Sequence, residues 1–287
     1  MATENPPEPI QVWVTPPGPN PWKAVFLFEE LGLNYNIVPF RFDDIKEEPF
    51  ININPNGRAP AIQDPNNSLT LWESGAIYQY LVEVYDTKKR LSYESLNERH
   101  LCNQWLHFQM SGQGPYYGQA GWFAHLHKDK IPSAIERYKN EIFRVLGVLE
   151  SVLSKKPADA QWLVGDKMTF ADMAFVPWNN RLSEVLSLEW DVVWKDTPHV
   201  RAWHERMIAL PSWIRSMKHR DILMHKQKLK WNGVPIGVKD FSAYEKKIAD
   251  EKKIADEKKS AADKDTPAGE NTTAGEDIAT GEDTIAK

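Results

Sequence analysis

Along the first ninety residues the spacing of apolar positions changes period several times, and each change marks an element. Residues 11–15 (QVWVT) alternate like a short strand, PPGPNP at 16–21 is a rigid turn, and residues 22–31 read as a helix ending at Gly32. Asn20 takes the N-cap place there, with Pro21 in the first turn. A second strand covers residues 34–40. Asn56-Gly57 is a turn dipeptide, residues 59–63 are a short apolar run, DPNN at 64–67 is a loop, and 69–72 returns as the partner strand of a hairpin. Ser74 then stands where an N-cap belongs, ahead of Ala76, Ile77, Tyr80, Leu81 and Val84 at helical spacing.

From about residue 97 the strand signal ends and helical periodicity takes over. Ile142, Val145, Leu146, Leu149, Val152 and Leu153 make one apolar face, Thr169 and Asp172 are spaced as a capping box with Asp in place of Glu, and residues 198–210 and 212–220 read as two short helices. Strand, helix, strand, hairpin, helix is the order of a thioredoxin-like α/β domain, so the pattern predicts such a domain at 10–88 followed by an all-α domain at 97–225. Residues 1–9, polar and proline-rich, read as a disordered leader. EKKIAD at 245–250 repeats at 251–256. Six residues advance about 240° around a helix, so Ile248 and Ile254 share no face and no buried stripe forms. With AGEN, AGED and TGED near its end, the stretch 242–287 reads as a solvated low-complexity tail, removable at about residue 242 with little loss of stability.

Composition narrows the classes. The chain has 287 residues, 41% hydrophobic with 12 tryptophans, enough for a sizeable core in two units. Cys102 is the only cysteine, which excludes a disulfide framework, and any thiol chemistry must use a thiol carried by the ligand. Residues 241–287 hold 8 lysines and 12 acidic residues, which leaves 27 basic against 28 acidic before them. That near-neutral body, without a basic stripe, argues against nucleic acid as a partner. No apolar run approaches the roughly 20 residues of a membrane span, and the N-terminus has no signal-like apolar region, so no membrane partner and a cytoplasmic location are expected. The 8 histidines show no metal-ligand spacing, and no metal cofactor is expected.

Proline at the head of a strand cannot donate to a sheet, and an X-Pro bond is the one that adopts cis at modest cost, so Pro60 is expected to leave the Ala59 main chain open to an extended, peptide-like ligand. Ser74 and the free N–H groups of the following helix would seat a carboxylate. Asn20, at the N-terminus of the first helix, could present an amide donor to a ligand thiol, although on the residues alone a cap role is the better explanation.

The run NPNGRAPA at 54–61, followed by WESGAI at 72–77, resembles the glutathione-binding segment of the glutathione S-transferase superfamily. WLVGDKMTFAD at 162–172 is similar to a helix start in that family's second domain. PNPWK at 19–23, SG at 111–112, GQA at 118–120 and VPWNN at 176–180 resemble a fungal branch typified by a yeast nitrogen-catabolite regulator.

The resemblance implies a thioredoxin-like domain plus an all-helical domain, glutathione as co-substrate and a homodimer. Asn20 would lie at the sulfur, with Thr15 as the rival hydroxyl. Glu73 and Ser74 would bind the γ-glutamyl end, Ala59 and Pro60 the backbone, and Arg58 and Lys46 the glycyl carboxylate. Tyr116, Tyr117 and Trp122 (with Phe123) would line a site for an electrophilic second substrate. The activity implied is conjugation or transfer of glutathione, in detoxification or secondary metabolism. A glutathione-dependent isomerase or peroxidase, or a non-catalytic module that binds a transcription factor, remain alternatives.

Overall fold

The alternation at the start of the chain becomes β1 (Ile10–Val14), with Ile10, Val12 and Val14 buried. In this computed structural model, which describes residues 8–157 and 160–264, β1 is parallel to β2 (Tyr35–Pro39) and antiparallel to β3 (Ala61–Asp64), which is antiparallel to β4 (Leu69–Trp72). The sheet order is β2-β1-β3-β4, with the parallel pair joined through a helix as the thioredoxin-like order requires. Residues 1–7 of the expected leader and residues 265–287 of the expected tail lie outside the described residues.

Helix α1 (Pro19–Leu31) begins three residues before the expected start. Gly18 is its N-cap, so Asn20 stands inside the first turn and not at the cap. Two prolines tolerate that turn because its N–H groups have no helical partner in any case. Gly32 closes α1 in the left-handed region at φ 71°. Residues 21–28 are all buried, since α1 packs against β1 and α3 (Ser74–Tyr85) on one side and helices of the second half on the other. In α3 the cap is Glu73 rather than Ser74, which becomes the first helical residue. The buried face of α3 is Ile77, Tyr78, Leu81, Val82 and Tyr85; Tyr80 turns instead toward Asp64, to which both Tyr80 and Tyr85 hydroxyls donate at 2.5 Å.

The second half is helical, as expected. After a single-turn α2 (Phe50–Ile53) in the first half, α4 (Leu96–Phe108) runs through a wide turn at Gln109–Gln113 into α5 (Gly114–Gly121), and α6 (Pro132–Leu153) buries Ile142, Val145, Leu146, Leu149 and Leu153. Helix α7 (Phe170–Asn179) starts with the Thr169/Asp172 capping box. Asp172 also accepts from the Leu163 N–H at 2.9 Å and Trp203 Nε1 at 3.0 Å, so one buried carboxylate ties three segments together. Short helices α8 (Leu182–Leu186) and α9 (Trp190–Val193) precede α10 (Pro198–Ile208) and α11 (Pro211–Lys226), the last running six residues past its expected end.

The expectation for the tail is corrected. Residues Phe241–Lys264 form α12, and the compact body extends to Glu245, with a separate unit from Lys246 on. The lack of a hydrophobic stripe holds, since Ile254 is 51% exposed, yet a repeat of Ala, Glu and Lys suits helix on propensity. The body's last anchor is Tyr244, 5% exposed, whose hydroxyl donates to Asp43 Oδ2 at 2.5 Å. Ending the chain after residue 245 should leave the melting temperature unchanged, whereas ending it after 240 should lower it by about 5 °C in calorimetry. Asp172→Ala should cost on the order of 3 kcal/mol in denaturant unfolding, because it orphans several buried donors.

Candidate functional site

The sheet register gathers the candidate residues. Trp13 is paired with Ala61 and Ala61 with Trp72, so the end of β1, the start of β3 and the end of β4 share one edge. Thr15, Pro60 and Glu73 follow or precede those strand ends directly. Strand pairing begins at Ala61, and the Ala59–Pro60 bond is cis, the isomer under which the Ala59 main chain is left outside the sheet. Glu73 is exposed and its backbone lies at φ 71°, a region a non-glycine residue enters at a cost and which is frequent at ligand sites. Ser74 is buried, and the first N–H groups of α3 open toward the same edge.

Asn20 has a defined orientation. Trp178 Nε1, which can only donate, bonds to Asn20 Oδ1 at 3.0 Å. That leaves the amide nitrogen as the free, donating side. Thr15 is 3% exposed and tucked under the turn; a Cβ on Gly18 would lie 3.1 Å from its hydroxyl. Arg58 and Lys46 are exposed, and the Lys46 stem packs on Gly57, the residue before Arg58, where an added Cβ would lie 3.2 Å from it.

The aromatic candidates divide. Tyr117 and Trp122 line a half-open cavity of about 250 Å³ beside Pro17, Gly18 and Pro19. Tyr116 does not, because its ring faces Tyr138 of α6 at 6.3 Å and lies under the Arg144 guanidinium. Phe123 likewise stacks on Tyr138, at 5.5 Å. A helix turns its side chains about 100° per residue, so adjacent tyrosines must face apart. Burial pushes the Tyr117 phenol far above its usual range, and it stays neutral. The buried Cys102 thiol is raised to about 11, which leaves it without nucleophilic character.

Several residues of the site carried no assignment from sequence. Trp178, Trp231, Phe241 and Tyr244 complete the cavity wall, and Phe241 meets Trp122 edge-on at 5.5 Å. Arg181, lowered to about 10 by burial, donates to Pro17 O at 2.8 Å and Trp231 O at 2.6 Å, fastening the segment after α11 to the turn before α1. Lys23 is 1% exposed, bonds to Ser74 Oγ at 3.2 Å, and is lowered to about 7 by burial, an effect that the Glu73 charge opposes. Its signals in the sequence are its place at the end of PNPWK and a lysine inside the apolar run of α1. Among the described residues no group of three or more His, Cys, Asp or Glu could hold a metal ion, and no helix is long and apolar enough to cross a membrane.

The pattern of the glutathione S-transferase N-terminal domain matches residues 8–83, and that of the C-terminal domain residues 115–211. A glutathione S-transferase-like protein of Aspergillus terreus is 48% identical over 206 residues, 70% of this chain and 91% of that protein. A Ure2p-type glutathione transferase of Phanerochaete chrysosporium, crystallised in complex with oxidized glutathione, superposes with a TM-score of 0.71 at 44% identity, covering 76% of this chain and 98% of that one. The transcriptional regulator Ure2 of Saccharomyces cerevisiae is 34% identical over 237 residues, 70% of this chain and 65% of that protein. Sequence, strand order and helical second half agree, and the chain belongs to the glutathione S-transferase family, beside the fungal Ure2-type proteins.

Proposed function

We propose that the protein is a glutathione transferase that binds glutathione along the sheet edge, holds its sulfur as thiolate and joins it to an apolar aromatic electrophile. The observation that carries this reading is the Trp178 bond to Asn20, which commits the Asn20 carbonyl to the protein and leaves its amide donor for a ligand. Ala59 would pair with the peptide backbone, Ser74 and the N-terminus of α3 would take the γ-glutamyl carboxylate, Glu73 the ammonium, and Arg58 with Lys46 the glycyl carboxylate. At the sulfur, the Asn20 N–H and the N-terminus of α1 favour the charged form over the thiol, whose unperturbed pKa is near 8.5. The thiolate attacks the electrophilic carbon, the leaving group departs with the bonding pair, and the thiol proton has already passed to solvent. The aromatic cavity beside Pro19 supplies an apolar place for that electrophile.

The reading extends to a cytoplasmic homodimer acting in detoxification or secondary metabolism. The likeness to Ure2 favours a second one, a non-catalytic module that binds a transcription factor; a glutathione-dependent isomerase or peroxidase would use the same sulfur site. Turnover of 1-chloro-2,4-dinitrobenzene separates enzyme from module. S-hexylglutathione at about 100 times its Kd should stabilise the fold by about 2.7 kcal/mol, read as a raised melting temperature. Absence of any shift at saturating concentrations contradicts both glutathione-dependent readings.

Asn20→Asp isolates the donor. Aspartate still accepts from the Trp178 indole and suits a first helical turn, so stability should hold, but it sets a negative charge toward the sulfur. The thiol of bound glutathione, followed by thiolate absorbance, should titrate at higher pH, and kcat should fall by about 100-fold, the usual effect of losing a donor at developing charge. Thr15→Ala should leave that titration unchanged; a shift there with none in Asn20→Asp would move the activating role to the hydroxyl.

A further inference from the structure

Behind Ser74 lies a cation that the binding scheme above does not use. Lys23 Nζ donates to Gln109 Oε1 at 2.5 Å and to Ser74 Oγ at 3.2 Å, with Met110 Sδ at 3.7 Å, and among the described residues it forms no ion pair. Lysine only donates, which forces the Gln109 carbonyl toward it and sets the rest of a relay. Gln109 Nε2 donates to Gln113 Oε1 at 2.8 Å, and Gln113 Nε2 to Asn179 Oδ1 at 2.8 Å. The relay ends at Asn179 Nδ2, buried without a partner. All three amides point their negative ends toward Nζ. Such an arrangement solvates a positive charge without neutralising it, and among the described residues no carboxylate pairs with it, Glu73 acting only from a distance.

The groups facing Lys23 are few. From α3 come Glu73, which is exposed, and Tyr78, whose hydroxyl donates to the Lys23 carbonyl at 2.9 Å and stays neutral through burial. The turn at Gln109–Gln113 and α7 present the amides and Met110. Arg215 and His219 of α11 face Glu29, at the other end of α1.

Resting on the glutathione-binding reading, we propose that Lys23 is a positioning residue for the γ-glutamyl carboxylate: it occupies a lone pair of Ser74, whose hydroxyl donates to Met110 Sδ at 3.4 Å without ligand and is left to turn its proton to the carboxylate, and it takes up a proton from solvent as the carboxylate arrives. With a ligand-free value of about 7, Lys23 is partly neutral at neutral pH, and an incoming anion raises it. Affinity is therefore full below about pH 7 and falls as pH rises toward the bound-state value, by up to tenfold per pH unit for one linked proton.

Calorimetric titration of the full chain with S-hexylglutathione, which carries no free thiol, tests this from about pH 6 to about pH 8.5 in buffers of different ionisation enthalpy. The ligand's own ammonium titrates near the top of that range, so Lys23→Met, close in shape but uncharged, is the subtraction. Near pH 8 the parent should take up at least about half a proton more than Lys23→Met does, and its affinity should be about fivefold lower than at pH 7, while Lys23→Met binds weakly with little pH dependence. Should Lys23→Met fail to fold, Gln109→Leu keeps the lysine and removes its nearest acceptor; the onset of proton uptake should then move to lower pH. Equal uptake in parent and Lys23→Met, or an unmoved onset in Gln109→Leu, overturns the proposal while glutathione binding stands. No binding by the parent at any pH overturns the glutathione reading, and the role of Lys23 with it.

Discussion

Helix α1 has no solvent side over residues 21–28, and that enclosure governs the arrangement around it. The sheet and α3 cover one flank, α7 and α11 the other. A surface helix can turn a lysine outward, but α1 cannot, so the Lys23 charge must be met inside the protein by Gln109 and Ser74. The same enclosure brings the N-terminus of α1 against Trp178 of α7, where the Asn20 amide is oriented. Burying α1 therefore builds the site as well as the core.

Two of the polar groups that the first domain offers at this edge, Ser74 and Asn20, are held from the helical half. Ser74 is reached through Lys23 by the Gln109–Gln113–Asn179 relay, and Asn20 by an indole 158 positions away. The sheet domain supplies the strand ends and helix N-termini, and the second half sets which atom of each side chain faces outward. A side-chain amide has a donor and an acceptor of similar shape, and only its buried partner decides between them.

The cavity beside Pro19 depends on a part of the chain that follows the matched family patterns, which end at residue 211. After α11 the chain doubles back through a bridge between Leu229 and Pro235, and Gly233, at φ 89°, packs against Pro17 so closely that a Cβ would lie 3.2 Å from its ring. Arg181 fastens this segment through two carbonyls. Trp231, Phe241 and Tyr244 then face Tyr117, Trp122 and Trp178. Without the returning segment the aromatic residues of α5 and the following turn would line an open groove, with less apolar area removed from water.

Local pattern was sufficient for the order of strands and helices, the hairpin and the Thr169/Asp172 capping box, because each rests on side-chain period, turn chemistry or a spacing of three residues. It also marked the edge formed by Ala59, Pro60, Glu73 and Ser74, which fall within one short stretch of chain. Tertiary structure decided what local signals cannot carry. Whether α1 starts at Pro19 or Trp22 depends on the loop before it, and whether Tyr116 or Tyr117 meets the cavity depends on which flank of α5 is covered. Lys23, Trp178, Arg181 and Tyr244 receive no role from the sequence reading, and they gain their roles from partners 51 to 201 positions away. The composition of residues 242–287 reported correctly that Ile248 and Ile254 form no stripe, but the body's boundary is set by one buried tyrosine whose partner, Asp43, lies in the first domain. Burial of that kind depends on distance in space, and a reading along the chain registers only distance in sequence.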